Sequence, residues 1–300
     1  KKYSNQTLRK SQTYLDSIYA KGNRFNLLKI LTGYTYKNSY EKWSFNYQGI
    51  SGLGATSFNT VQGWSLNTGF SYRKTNEEKG KFTSISSNFN YGLAEDRLRV
   101  QANFYHRFNN KNRAYLSAAG GSAVSQFNNS EPISPFINSV STLFFKNNFM
   151  KLYNKEFATL TYGQEVVNGL FGYVNWNYEN RRALFNNTDY TIIKNNDSYT
   201  SNDPLQPNNF TSAPFENHDI MKATIGTRIR FGQKYLSYPG SKFNITSPKY
   251  PKLNISYEKG LGATNLNYNF DHISTRLTQN ISLENKGTFS YNILVGSFFG

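Results

Sequence analysis

The strongest constraint on the fold is an alternation of apolar and polar residues that returns in run after run along the chain. Successive side chains of a β-strand point to opposite faces of a sheet, so a period of two predicts strands rather than helices. In one run the first face would carry Trp64, Leu66, Thr68, Phe70 and Tyr72, and the second Ser65, Asn67, Gly69, Ser71 and Arg73. Similar runs begin near residues 97, 221 and 289. The sequence therefore predicts an all-β protein.

Strand length separates a soluble β-sandwich from a membrane β-barrel. Strands of soluble sheets are usually about 5 to 6 residues long, whereas a tilted strand that crosses a bilayer needs about 9 to 11. Several runs reach the longer value, and the Gly- and Asn-containing breaks at 76–80, 259–262 and 285–287 predict hairpin turns. We predict an antiparallel, up-and-down transmembrane β-barrel, or a large part of one, with about 12 to 14 strands in this segment.

Composition agrees with a sheet that meets lipid on one side and water on the other. Aromatic residues make up 17% of the chain, yet only 37% is hydrophobic and the mean hydropathy is -0.65. The sequence has no cysteine, which excludes disulfides and thiolate metal sites. It also has no apolar run of about 18 residues, so no membrane-spanning helix is predicted.

The first segment differs from the rest in its pattern. Residues 1–22 are predicted to be a connector with a short helix over 11–21, and residues 23–300 to be the barrel segment, with a first strand around 25–36. Three stretches rich in Gly, Ser, Asn or Pro interrupt the alternation, at 117–139, 180–217 and 232–251. We predict loops there, because such residues favour turns.

Charge gives the two faces different roles. The formal net charge is +16, and many Arg and Lys residues occupy the polar positions of the alternating runs. Arg or Lys facing lipid at the bilayer midplane costs about 2 to 4 kcal/mol, so these residues are predicted to face the lumen. The predicted lumen residues are Arg97, Arg99, Arg107, Lys222, Arg228, Arg230 and Arg276. The predicted lipid-facing residues are Trp64, Phe70, Val100, Phe104, Ile225 and Ile229.

The cationic positions leave two interpretations open. They could attract anionic solutes into a pore, or they could pair with inward acidic groups, with backbone or with a plug. The basic residues are spread along the chain, and no nucleic-acid-binding motif accompanies them, so nucleic acid is not an expected partner.

Catalytic and metal chemistry receive little support from the sequence. Only three histidines are present, and the adjacent pairs His218–Asp219 and Asp271–His272 would point to opposite faces if they lie on strands. No catalytic residue, metal site or cofactor is therefore predicted.

Five phrases, spread in order along the chain, resemble a Bacteroidota outer-membrane family of unknown function. They are residues 57–64, 163–170, 175–184, 234–242 and 249–251. In that family the barrel follows a carboxypeptidase-regulatory-like β-sandwich. The resemblance covers about residues 25–300 and implies that the barrel is incomplete at the C-terminus. It also implies a cell-envelope component, working beside TonB-dependent receptors or other barrels, and it supplies no catalytic residues.

The leading hypothesis is a non-enzymatic outer-membrane protein of a Gram-negative bacterium, a component of an envelope transport or assembly system. Its expected partners are outer-membrane lipid and other outer-membrane proteins or lipoproteins. The alternatives are a diffusion pore with a cationic lumen for anionic solutes, an outer-membrane hydrolase using His218 or His272, and a soluble all-β module whose aromatic rings stack on sugars.

Overall fold

The protein is dominated by one large antiparallel sheet, seen in a computed structural model that describes residues 11–299 except 53, 129, 194–196, 239–240, 246–248, 262–263 and 265. Thirteen strands form this sheet, and they follow one another in sequence order except at two steps. Strand β2 pairs with β4, with β3 paired to β4 beside it, and β10 pairs with β13. The hairpin β11–β12 forms a separate two-stranded sheet. The predicted all-β, antiparallel, up-and-down architecture is confirmed, with fifteen strands among the described residues.

The strands of the first half are β1 (Tyr34–Asn38), β2 (Trp43–Tyr47), β3 (Thr56–Asn59), β4 (Gly63–Asn76), β5 (Lys81–Gly92), β6 (Arg97–Arg107) and β7 (Tyr115–Gln126). Those of the second half are β8 (Leu152–Val167), β9 (Leu170–Ala183), β10 (His218–Arg230), β11 (Lys234–Tyr238), β12 (Ser241–Ile245), β13 (Lys252–Leu261), β14 (Phe270–Ser282) and β15 (Thr288–Phe299). In the described residues the α-helices are α1 (Gln12–Gly22), α2 (Leu28–Thr32) and α3 (Pro135–Phe145), and short 3₁₀ helices cover Leu266–Tyr268 and Glu284–Lys286.

Two helices in the described part of the chain, over residues 12–22 and 28–32, precede β1. Helix α1 begins where the Ser11 side chain accepts a hydrogen bond from the backbone N–H of Tyr14, which satisfies one free donor of the first turn. The strand predicted around 25–36 is wrong over 28–32, which form α2, and β1 begins only at Tyr34. The five residues of α2, LKILT, have no strict alternation of apolar and polar side chains that would favour a strand.

Strand register divides the sheet into two faces. Ile225 pairs with Val174, Val174 with Tyr162, Tyr162 with Leu116, and Leu116 with His106, and directly paired residues share a face. Even-numbered residues of β6 therefore lie on the same face as odd-numbered residues of β10. We call this the apolar face, since Leu, Val, Ile, Phe and Trp dominate it. The opposite side is the polar face.

The two ends of the strands carry different connections. At one end, the long-loop end, the connections include residues 127–151, which contain α3, and residues 184–217, in which the described part has no strand. At the other end, the hairpin end, the connections include the turns 77–80 and 168–169 and the β11–β12 hairpin. Two of the three predicted loops thus lie at the long-loop end, although residues 180–183 belong to β9. The third, 232–251, lies at the hairpin end, and its prediction as a loop is wrong over β11 and β12.

The predicted loop at 117–139 is wrong over residues 117–126, which form a strand, and over residues 135–139, which begin α3. Residues 117–126 belong to β7 and pair along their whole length with β8. The run Ser-Ala-Ala-Gly-Gly-Ser has no large side chain to alternate, which hid the strand from a pattern of apolar residues. Gly121 has a φ of 133° and lies directly against β6.

The main cluster of buried apolar residues is small and lies at the long-loop end. Val61, Met150 and Leu152 form it, with Val124 and Leu184 packed partly against it. Asn138 of α3 is fully buried beside this cluster and accepts hydrogen bonds from the backbone N–H groups of Phe149 and Met150, at 3.0 and 2.9 Å. Hydrogen bonds to buried side-chain amides therefore help to fix the chain at this end, where the apolar cluster is small.

The sheet is open in the structure. Within the described residues β1 pairs only with β2, and β15 pairs only with β14. At the β1 edge, Asn23 donates to the carbonyl oxygen of Lys37 and accepts from the N–H of the same residue, at 2.7 and 2.8 Å. No helix among the described residues is long and apolar enough to cross a membrane.

Gly121→Ala is expected to destabilise the fold. A Cβ there would overlap the carbonyl oxygen of Val100 and lie 2.8 Å from the Cα of Gln101, and the left-handed φ adds strain of about 1 to 3 kcal/mol. We expect a loss of at least about 2 kcal/mol in the free energy of unfolding, measured by urea titration. Gly172→Ala is the matched control, since its Cβ would make only an ordinary contact at 3.6 Å. Equal losses in both variants would contradict the argument.

Candidate functional site on the polar face

The polar face is lined by cross-strand hydrogen bonds between short polar side chains. Such pairs join neighbouring strands across much of the sheet. They are Asn46 with Thr35 at 2.7 Å, Asn90 with Asn67 at 2.8 Å, Thr159 with Asn177 at 3.0 Å, Asn175 with Thr161 at 2.7 Å, and Ser256 with Ser274 at 2.9 Å. This arrangement gives a surface of short polar side chains from which longer charged side chains project.

Two of the predicted lumen residues are neutralised by carboxylates at the long-loop end. Arg97 lies 3.3 Å from Glu156. Arg99 is 1% exposed. Its two terminal nitrogens donate hydrogen bonds to the Glu95 carboxylate, at 2.5 and 2.7 Å, and its Nε donates to Asn154 Oδ1 at 2.9 Å. Arg99 is therefore paired with an acidic group, and its place in a lumen stays a prediction.

The remaining predicted lumen residues lack an ion pair to a described carboxylate within 4 Å. Arg107 stacks on Phe82 and donates to the Gly80 carbonyl oxygen at 3.1 Å. Arg228 donates to Asn254 at 3.3 Å and lies over the Phe171 ring. The other three are Lys222, which is half-buried, Arg230, which is half-buried, and Arg276, which is exposed. Register places all seven on the polar face.

The six predicted lipid-facing residues lie on the opposite, apolar face. Trp64, Phe70, Val100 and Ile225 are exposed, Ile225 to 63%, while Phe104 and Ile229 are half-buried. Contact of these residues with lipid remains a prediction.

An aromatic cavity of about 660 Å³ opens on the polar face at the long-loop end. The ring of His218 stacks on Tyr268 with centroids 4.1 Å apart, and His272 stacks on Phe298 at 4.2 Å. Phe215 contacts His218 edge-on at 5.5 Å. The rings mostly contact one another, so a flat ligand would find few free ring faces.

Neither aspartate next to these histidines contacts the imidazole. Asp219 accepts hydrogen bonds from Tyr178 and Asn180, at 2.8 and 2.7 Å, and Asp271 is bound by Lys259 and Tyr257. His218 Nδ1 lies 2.8 Å from the carbonyl oxygen of Glu216. Within the part of the chain that the structure describes, no three His, Cys, Asp or Glu side chains gather closely enough to hold a metal ion.

A basic cluster forms at the hairpin end. Arg113, Arg228, Arg230 and Lys242 surround one carboxylate, that of Glu165, and a cavity of about 110 Å³ lies among the three arginines and Glu165. Lys242 Nζ lies 2.9 Å from Glu165 Oε1, which also accepts the N–H of Gly169 at 2.9 Å. The cluster joins a turn, two long strands and the β11–β12 hairpin.

Sequence reasoning missed half of this cluster. Arg228 and Arg230 were predicted from the alternation, but Arg113 lies in the turn after β6 and Lys242 in a predicted loop. Neither position has a face that a period of two can assign. Only the folding of the β11–β12 hairpin back against β8 brings Lys242 to Glu165.

One lysine ties the two long loops together. Lys151 Nζ donates to Thr200 Oγ1 and to the carbonyl oxygen of Ser201, both at 2.7 Å. Burial disfavours the ammonium form, which lowers the pKa of Lys151 from 10.5 to about 8.

The fold and its two faces define an antiparallel, up-and-down all-β protein with one polar and one apolar face. Residues 28–300 match the C-terminal domain of a family of unknown function (DUF5686). The chain belongs to this family. Comparison with curated proteins and with solved structures gave no match.

The lowered pKa of Lys151 makes stability depend on pH. The folded protein releases this proton before the unfolded chain does, so the free energy of unfolding rises as the pH increases from about 8 towards 10.5 and is lowest below about 8. We expect urea unfolding to show this rise in the wild-type protein and not in Lys151→Met. The same pH dependence in both proteins would show that Lys151 is not its source.

Proposed function

We propose that the sheet forms part of the wall of a β-barrel in the outer membrane of a Gram-negative bacterium. The chain acts there as a non-enzymatic component of an envelope transport or assembly system. The observation that carries this proposal is the apolar face. Its contacts in the cell are outer-membrane lipid and, beside the barrel, other outer-membrane proteins or lipoproteins.

In water, the apolar face would expose many large hydrophobic side chains to solvent, which is unfavourable in free energy. Leu98, Val174, Trp176 and Ile273 are 59%, 51%, 44% and 44% exposed, and they lie on this face with the predicted lipid-facing residues. Monomeric soluble proteins rarely expose contiguous apolar patches larger than a few hundred Å². Hydrocarbon removes the cost of this exposure, while the polar face stays hydrated.

Strand length and connection length support the same proposal. Strands β4 to β10 have 11 to 16 residues, and β13 to β15 have 10 to 13, which meets the length of about 9 to 11 that a tilted strand needs. Membrane barrels have short turns on the periplasmic side and longer loops outside. The long-loop end would therefore face the exterior, and closure would bring the edges of β1 and β15 to further strands or to each other.

Charge placed on the apolar face should block membrane insertion. Ile225→Arg is expected to cost about 2 to 4 kcal/mol in the free energy of unfolding from lipid vesicles, because the guanidinium would face hydrocarbon. Thr224→Arg is the matched control, since it adds the same charge to the preceding residue of β10, which lies on the polar face. Folding into vesicles can be followed by heat-dependent gel mobility. If Ile225→Arg stays folded and gains solubility without detergent, the protein is a soluble module.

A diffusion pore for anionic solutes is the second candidate. The unpaired arginines at the hairpin end favour it, because a concentration of like charge raises the local concentration of counter-ions. Arg97 and Arg99 contribute less to this field, since Glu156 and Glu95 neutralise them.

Conductance in planar bilayers tests the pore directly. Wild-type protein is expected to conduct with anion preference, and Arg228→Glu with Arg230→Glu should reduce or reverse that preference. Arg97→Glu should change it less, because this arginine already has a carboxylate partner. Absence of conductance in the wild-type protein would remove the pore and leave the membrane proposal intact.

A further inference from the structure

The basic cluster at the hairpin end carries more charge than it neutralises. Two guanidinium groups, Arg228 and Arg230, stand on the same face of β10, and Arg113 approaches them from the turn after β6. Lys242 brings a fourth cation, and Glu165 is the one carboxylate within 4 Å of any of the four among the described residues. The cluster therefore has a formal charge of three positive units around a cavity of about 110 Å³.

Three buried polar atoms, all in residues that line this cavity, have no hydrogen-bond partner in the part of the chain that the structure describes. They are Arg230 Nε, Glu165 Oε2 and Asn244 Oδ1. Buried polar atoms normally have partners, and those that lack one call for an explanation such as a water, an ion or a ligand. The guanidinium Nε needs an acceptor, whereas the carboxylate oxygen needs a donor.

A small oxyanion that still carries a proton can serve Arg230 Nε and Glu165 Oε2 together. Its ionised oxygens accept from Arg230 and from the neighbouring cations, and its hydroxyl donates to Glu165 Oε2. Two negative charges would offset most of the cluster's excess. The cavity is several times the space that one water requires, so it has room for a tetrahedral anion.

We propose that the basic cluster is a binding site for hydrogen phosphate and that the unpartnered oxygen of Glu165 selects the protonated oxyanion. Inorganic phosphate keeps one proton throughout the neutral range, whereas sulfate has none to donate. Sulfate would place a bare oxygen against the Glu165 carboxylate, and that repulsion excludes it. A phosphate monoester at pH of about 8 has lost its second proton and is excluded in the same way.

The site is independent of the proposed membrane role. It lies on the polar face and is formed by contacts within the chain, so binding can be measured on the folded protein in detergent. A protein that binds phosphate but does not insert into vesicles would overturn only the proposed function. A protein that inserts but does not bind phosphate would overturn only this inference.

Calorimetric titration of the purified protein tests the site with three probes at pH of about 8: inorganic phosphate, sulfate and methyl phosphate. Phosphate should bind at least tenfold more tightly than either of the others. Arg230→Gln should weaken phosphate binding at least tenfold. Arg97→Gln, which removes the same charge from the opposite end of the same face, should leave binding unchanged.

Glu165→Gln supplies a readout that a purely structural role would not change. The glutamine amide can still accept through Oε1 and adds a donor where the bare oxygen was, so sulfate should now bind about as well as phosphate. If a variant fails to fold, ligand-dependent stabilisation of the wild-type protein remains decisive. Phosphate should raise the urea midpoint and sulfate should not.

Four results would overturn the proposal. They are no phosphate binding at millimolar concentration, equal binding of sulfate by the wild-type protein, equal binding of methyl phosphate, and equal weakening by Arg97→Gln. Equal binding of methyl phosphate would show that the site does not require a protonated oxyanion.

Discussion

The exposure of one whole face of the sheet to its surroundings is the constraint on which the rest of the structure depends. In β4, β6 and β10, successive residues alternate between the apolar face and the polar face, so the large apolar side chains of these strands gather on one side of the sheet. The hydrophobic effect can stabilise this sheet only through what covers the apolar face from outside. The continuous backbone ladders and the Asn, Ser and Thr pairs fix the strands relative to one another.

The shortage of an apolar core explains the abundance of asparagine at the long-loop end. Asn59 accepts from the N–H groups of Val61 and Gln62, and Asn202 bonds to the N–H and carbonyl of Leu152 and to the carbonyl of Leu184. An amide side chain offers both donors and acceptors, so it can satisfy irregular backbone where no regular ladder exists. The two long loops are thus held by directional hydrogen bonds to buried backbone, and their shape is set by where those amides lie.

Much of the fold was predictable because one rule, the period of two, governs most of the strands. Val100 and Arg99, or Ile225 and Arg228, fall on opposite faces by residue number alone, and the register agrees. The rule fails where side chains are too small to carry it, as in residues 117–126 of β7, and where apolar residues occur outside strands, as in α2. The basic cluster was only half predictable, since Arg113 and Lys242 reach Glu165 through a turn and a hairpin whose path no local pattern encodes.

On the polar face, the balance of positive and negative charge differs between the two ends of the strands. On the polar face, the ion pairs of Arg99 with Glu95 and of Arg181 with Glu179 lie towards the long-loop end. At the hairpin end four cations share one carboxylate. A surface with paired charges at one end and unpaired cations at the other has a potential that becomes more positive along its length. An anion near the polar face is therefore drawn towards the hairpin end, where the cavity among the arginines is the place that can hold it.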